Sequence, residues 1–424
     1  MKIIAVTGTK GKTTIVRALS EVLHRSGETT LRVDTDGYYV NERQMGTLEE
    51  SKKLFNLVPT VSPGRYLLAM QQHYPNFVAI LEAAIGSGGK AGKGYGLHDI
   101  GIFSNVYEDH LGISDDIKTR AGIAKRKSFI FSEINMNGYA VFNADDKLVC
   151  SQLKEIPEFR SVQLLPCSFS RPIFDIKSHL SKGGKAFTIL NENIVIQSKT
   201  ESKSILSVKE IPWTFDGKYA PSIKNLLLII GGLYAFFNGD IPQKTLDALK
   251  NYRFDKDGGR LSLIENDSHV KVLIDFAHER QSLSEIARLA KSLKKNSKNR
   301  TIGIVRLAPD RTDKMIFDTG KYIAPLFNHL IIYDKIDGMQ RKEYIGVKSN
   351  IKRAAGEVSE IFFNGAMSSK RKNKGTERII IESNAVKRAS EIAQQGDVVV
   401  YICNDDHKKS IAYAQKYFRI KPSV

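Results

Sequence analysis

Cysteine is scarce in this sequence. The 424 residues hold three, Cys150, Cys167 and Cys403, far apart and without CxxC or metal-ligand spacing. That excludes a disulfide scaffold or zinc ribbon and fits packing roles in a reducing compartment. Long hydrophobic runs are also missing. The most apolar stretch, Leu226 to Phe237, contains two glycines and falls short of the roughly 20 residues that span a bilayer, so a buried helix and no membrane insertion are expected. The N-terminus carries no cationic segment followed by an apolar one and a small-residue cleavage site, and a cytoplasmic protein is the expectation. Hydrophobic residues at 42% and charged residues at 26% exclude wholesale disorder and a coiled coil.

Negative charge is in short supply too. The 64 Lys and Arg against 46 Asp and Glu leave a net +18. Only SLKKNSKNR (292–300) and SSKRKNKG (368–375) are dense basic runs. The scattered remainder suits a solvated surface first and attraction of an acidic substrate or polymer second. Nucleic acid is not expected as a partner, because no RNP-like aromatic string, zinc finger or DNA-reading helix is present.

What is there is alternation. KIIAVT (2–7), TTLRVD (29–34), FVAILEA (77–83), IGIFSNV (100–106) and YAVFNA (139–144) read as strands separated by helical or glycine-rich stretches. This predicts an α/β fold with a doubly wound parallel sheet. The helix after the first strand is expected to stop at Gly27. Between about 165 and 215 the runs become short and alternating, which predicts a small appended antiparallel sheet. Helices from Ser222 and from Pro242 to Tyr252 lead to the polar RFDKDGGR, and beyond it VKVLIDF, TIGIVRL, HLIIYD, RIIIES and DVVVYI predict a second, Rossmann-like α/β domain. The expected division is 1–253, including the 165–215 hairpin region, and 254–424.

Gly8-Thr9-Lys10-Gly11-Lys12-Thr13-Thr14 joins the first strand to the first helix, the context that a phosphate loop requires. Glycines let the backbone curl so that its amides and the helix N-terminus face phosphates. Lys12 would sit on the β- and γ-phosphates of a nucleotide and the Thr13 hydroxyl would bind Mg²⁺. The glycine spacing is shorter than in the general GxxxxGK[ST] pattern.

TGTKGKTT is the form this loop takes in the Mur ligase superfamily, and further segments resemble that family in order along the chain. ILEAAIGSGG resembles the segment whose glutamate helps hold magnesium, which points to Glu82. SNVYEDHLG resembles the segment supplying Asn105 and a second-metal histidine, His110. RKSFIFSE with VFNADD places Lys127 where several members carry a carbamylated lysine. A carbamate would offer metal-binding oxygens, and a bare cation facing phosphate remains the other reading. APSIKNLL implies Asn225 as an adenine contact, GGR (258–260) implies Arg260 at the phosphates, and IDFAHERQSL implies Asp275 at the ribose and His278 on the phosphate side.

Within the superfamily, DTDGYYVNERQ, KEIPWTFDGKYAPSIKN and QQGDVVVYICNDDHKKS resemble the cyanophycin synthetase branch more than the muramyl peptide ligases, and the poly-γ-glutamate synthase catalytic subunit is a further relative. Two departures accompany this: no ATP-grasp module precedes the loop, and the segment after Glu82 lacks the arginine usual in ETARGG. With no nucleotide-sugar-binding segment ahead of the loop, the expected acceptor is an acidic peptide or oligomer. The resemblance therefore implies an ATP- and Mg²⁺-dependent acid–amino-acid ligase that forms ADP and phosphate through an acyl phosphate, as a homo-oligomer or beside a separate ATP-grasp partner. Two alternatives remain at this stage, a catalytic subunit dependent on an ATP-grasp or membrane partner and a nucleotide-binding regulatory protein.

Overall fold

The computed structural model describes residues 1–55, 59–71, 74, 76–88, 92–108, 117–253, 261–309, 311–334, 353–370, 375–404 and 406–420. They divide into two compact units, Met1–Tyr252 and Arg253–Val424.

The first unit is built on a sheet whose strands lie in the order Ser202–Ser207, Asn193–Gln197, Ala186–Leu190, Gln163–Ser168, Ile134–Asn143, His98–Phe103, Lys2–Thr7, Val78–Glu82, Thr30–Asp34, Gly37–Val40 and Arg43–Thr47. Lys2–Thr7 pairs in parallel with both Val78–Glu82 and His98–Phe103. These central strands are apolar in their middles because helices cover both faces, with polar residues such as Lys2, Thr7, Glu82 and His98 at their ends, and every residue of Val78–Glu82 is buried. Helix Lys12–Arg25 packs Ile15, Val16, Leu19, Val22 and Leu23 inward and ends where Gly27 adopts φ 100°. The apolar run around Leu226 lies in helix Ala220–Phe236, which is buried over most of its length. Its glycines let the sheet come close: a Cβ on Gly231 would lie 2.8 Å from Val141 Cγ1 and one on Gly232 3.0 Å from Ile102 Cδ1.

Antiparallel strands sit at both edges of this sheet. On one side Ala186–Leu190, Asn193–Gln197 and Ser202–Ser207 form a meander. Gln163–Ser168, at the start of the expected hairpin region, instead pairs in parallel with Ile134–Asn143 and with Ala186–Leu190. It belongs to the parallel core because Cys167 is buried against helix Ala220–Phe236, its thiol 3.4 Å from the Leu227 carbonyl. The small antiparallel sheet is thus an extension of the main one. On the other side Thr30–Asp34, Gly37–Val40 and Arg43–Thr47 form a second meander.

The second unit carries a sheet in the order Ser262–Glu265, Lys271–Asp275, Val398–Ile402, Thr301–Val305, His329–Ile332 and Gly375–Arg378. All pairs are parallel except the first. The expected strand RIIIES (378–383) is displaced: the strand ends at Arg378 and a helix begins at Glu382. The cause is Glu382, whose buried carboxylate accepts hydrogen bonds from Tyr401 and Ser410 and draws the chain inward, leaving Ile381 53% exposed. Among the described residues no helix is long and apolar enough to cross a membrane.

Candidate active site

The first unit concentrates polar side chains where its central strands end. Gly8, at φ 142°, follows the first strand directly, and Gly11, at φ 84°, caps helix Lys12–Arg25 without any side-chain hydrogen bond. Both glycines are required by space as well as by conformation. A Cβ on Gly8 would lie 2.0 Å from Ser104 Oγ, and one on Gly11 2.4 Å from Asn225 Oδ1. The helix start has no side-chain cap, and an uncapped helix N-terminus is a setting suited to negative charge.

The loop is clamped from the neighbouring strand end. Asn105 Oδ1 accepts from the Lys10 amide at 2.8 Å, while its Nδ2 donates to the Lys10 carbonyl at 3.0 Å. The Thr9 amide donates to the Asn105 carbonyl at 2.9 Å, and Ser104 Oγ donates to the Lys10 carbonyl at 2.7 Å. Asn105 thus spends its amide on holding the loop. Ser104 and the Thr9 hydroxyl, which accepts from the Tyr107 amide at 3.0 Å, complete a clamp that no motif had signalled.

Glu82 sits at the centre. It is 3% exposed, and its two oxygens accept from Thr13 Oγ1 at 2.8 Å and from Thr35 Oγ1 at 3.2 Å. Lys12 Nζ lies 4.0 Å from the same carboxylate and donates to the Thr9 carbonyl at 3.1 Å. The parallel register that pairs Val6 with Glu82 brings these residues together across the sheet. Lys127, 3% exposed at the end of helix Arg120–Lys127, points its ammonium to Thr7 Oγ1 at 3.4 Å, and Thr7 in turn donates to the Ala83 carbonyl. Gly8, Thr9, Lys10, Gly11, Lys12, Thr13, Thr14, Asn105, Asn225, Glu82 and Lys127 all belong to this unit. His110 and Arg260 lie outside the described residues.

Asp275 and His278 belong to the second unit. Asp275 ends its strand and accepts from the Leu261 amide at 2.9 Å, and His278 Nδ1 lies 2.9 Å from the Phe276 carbonyl. Among the described residues, no group of three or more His, Cys, Asp and Glu is arranged to hold a metal. Thr13 and Glu82 nevertheless supply two hard oxygens within hydrogen-bond distance of each other, a donor set suited to a small divalent cation that keeps most of its water or phosphate ligands.

A buried charge network behind the loop was not legible in any motif. Arg17, on the first helix, bonds Asp34 at 3.0 Å and also reaches Asp36, while Arg32 bonds Asp34 and stacks 3.7 Å over the Tyr39 ring. Burial opposes ionisation of Asp34, yet Arg17 and Arg32 outweigh it and hold the carboxyl below its usual range. Burial and the Asp34 charge push the Tyr39 phenol up to about 12. The network anchors the turn that delivers Thr35 to Glu82.

Comparison with known proteins places these features in context. Residues 6–203 match the Mur ligase middle domain family. The chain is similar to cyanophycin synthetase from Geminocystis herdmanii, 29% identical over 98% of this chain and 44% of that protein. It is also similar to UDP-N-acetylmuramoyl-L-alanyl-D-glutamate--2,6-diaminopimelate ligase from Clostridium perfringens, 25% identical over 94% of this chain and 72% of that one. The chain thus spans less than half the length of the cyanophycin synthetase it matches. Among solved structures, E. coli FolC in complex with DHPP and ADP superposes with a TM-score of 0.65 at 15% identity, covering 99% of this chain and 89% of that one. A bifunctional folylpolyglutamate synthase/dihydrofolate synthase with Mn, AMPPNP and L-glutamate bound gives a TM-score of 0.64 at 14% identity, over 97% and 89%. At such identities these two share the fold.

Proposed function

This chain carries a Mur ligase middle domain across residues 6–203, and from that premise we propose that it is an ATP-dependent amide ligase. In this reading it activates a carboxylate by γ-phosphoryl transfer and joins the resulting acyl phosphate to an amine. The observation that carries the reading is the cluster in which Thr13 and Lys12 share one buried carboxylate, Glu82, at the mouth of a glycine-capped helix. Backbone amides of the loop receive the phosphates, and the Lys12 ammonium offsets the charge that builds on the transferring phosphoryl group. Thr13 and Glu82 would hold Mg²⁺. When bound, that ion neutralises phosphate charge and orients the γ-phosphoryl group. Asn105 and Ser104 keep the loop in its curled conformation, so little reorganisation is needed at the moment of transfer.

The acceptor we propose is an acidic peptide or oligomer bearing free carboxylates. The net charge of +18 would draw such a chain by long-range attraction, so its apparent affinity should weaken as salt shortens the screening length below about 8 Å. Incubation of the purified protein with MgATP, single amino acids and acidic oligopeptides tests the reaction. Substrate-dependent release of ADP and phosphate is expected, and AMP with pyrophosphate would overturn the mechanism.

A further inference from the structure

The second unit, taken by itself, opens a cavity of about 510 Å³. Its walls come from the first residue of helix Arg280–Ser292, the end of helix Asp313–Ile323 with the turn that follows, and the residues after helix Glu357–Met367. Three cations line it, Arg280, Lys321 and Lys370. None of them forms a hydrogen bond or an ion pair among the described residues. Three other arginines of the same unit are matched: Arg300 engages Asp397, Arg353 engages Asp313 and Arg388 engages Glu377. The acid in the cavity wall, Asp318, is paired with Lys314 at 2.5 Å, and that bond, with the charges of Lys321 and Arg280, holds its carboxyl below the usual range. The lining thus keeps a net positive charge, with Asp318 partly offsetting two of its cations.

The Arg280 guanidinium lies 3.8 Å from the centroid of the Tyr322 ring. Stacking fixes the plane of the fork and lowers the entropy lost when it grips a planar anion. Ser369, 6% exposed, adds a hydroxyl to the lining, while Pro325 and Leu326 provide an apolar wall.

We propose that this cavity is a docking subsite for the side-chain carboxylates of an acidic peptide. Three considerations favour that occupant over a nucleotide. The one aromatic ring of the lining is engaged on one face by Arg280, which leaves a base less surface to stack on. Asp318 would oppose a multiply charged phosphate group. The cations sit at separate points beside an apolar wall, which suits single carboxylates carried on methylene stems. The subsite deepens the acidic-acceptor reading and rests on it for its part in catalysis, although binding can be measured alone.

The test is fluorescence anisotropy of a labelled tetraglutamate peptide with the full chain, at low salt, with inorganic phosphate and ADP as competitors. Arg280→Ala should weaken binding about tenfold, the usual cost of losing a charge-assisted hydrogen bond. The Lys321→Glu, Lys370→Glu double variant should weaken it further, while ADP affinity stays unchanged in both. Unaltered peptide affinity in both variants, no peptide binding by the parent, or displacement by phosphate at lower concentration than by free tetraglutamate would each overturn the subsite. If the variants leave peptide affinity alone while the parent still turns over ATP, the ligase reading stands and the subsite falls. If peptide binding needs Arg280 but no acidic acceptor stimulates ATP cleavage, the subsite stands as a binding site and the acidic-acceptor reading falls.

Discussion

Each unit buries a glutamate among side chains from the C-terminal ends of its parallel strands, and the two are surrounded differently. In the second unit Glu382 accepts from Tyr401 and Ser410 at 2.6 Å, from Asn404 at 2.9 Å and from Tyr333 at 3.4 Å. Its charge is spread over neutral donors of the core, two of them phenols whose ionisation burial suppresses. In the first unit Glu82 accepts from two threonines and faces Lys12 at 4.0 Å, beside a helix terminus with no side-chain cap. A carboxylate saturated by core donors acts as architecture. One shared between a helix-start hydroxyl and a lysine would, in the proposed reading, exchange those partners for a cation and phosphate.

The sharpest way to break this contrast is Lys12→Ala. Turnover should fall about 10²- to 10³-fold through lost charge stabilisation, with an unchanged urea midpoint. A variant that turns over like the parent would remove Lys12 from the chemistry.

The glutamates themselves give a paired comparison. Glu82→Gln should reduce turnover about 10²-fold while keeping the protein folded. Glu382→Ala should cost about 3 kcal/mol of unfolding free energy by stranding several buried donors, yet leave turnover per folded molecule near the parent value. Urea titration and phosphate release on both variants decide it, and identical profiles would erase the distinction.

The smallest effect concerns His98, fully buried on the first unit's sheet with Nε2 2.9 Å from the Ile130 carbonyl. Burial, reinforced by the charges of Lys93 and Arg160, pushes its pKa down to about 3. The unfolded chain takes up this proton below about 6.5 and the folded one does not, so stability is fully present above that pH. It is lost as pH falls from about 6.5 towards 3, at up to about 1.4 kcal/mol per unit. Replacing His98 with Gln should flatten the slope of urea-derived stability over that interval. An equally steep slope would show that other groups control it.

Legibility from the sequence followed contiguity. The strand-to-helix turn from Gly8 to Thr14 was readable because its residues are adjacent and their conformational demands are local, as was the buried helix around Leu226, where apolar density alone decides. The Arg17–Asp34–Arg32 network left no trace because its members belong to different elements and each looks like an ordinary surface charge. RIIIES misled because three isoleucines carry a strand signal that a single buried carboxylate, Glu382, overrides.

By itself the sequence determined the alternation of strands and helices and the glycines that curl the loop between the first strand and the first helix. These are set by short-range sterics and by the pattern of apolar side chains. Tertiary structure alone decided that Glu82 would lie 2.8 Å from Thr13, which is 69 residues away. It also decided that Asn105 would clamp the loop and that Arg280, Lys321 and Lys370 would share one cavity. Contacts of that kind depend on strand register and helix packing, where burial of the whole apolar surface chooses among arrangements that local preferences leave equal.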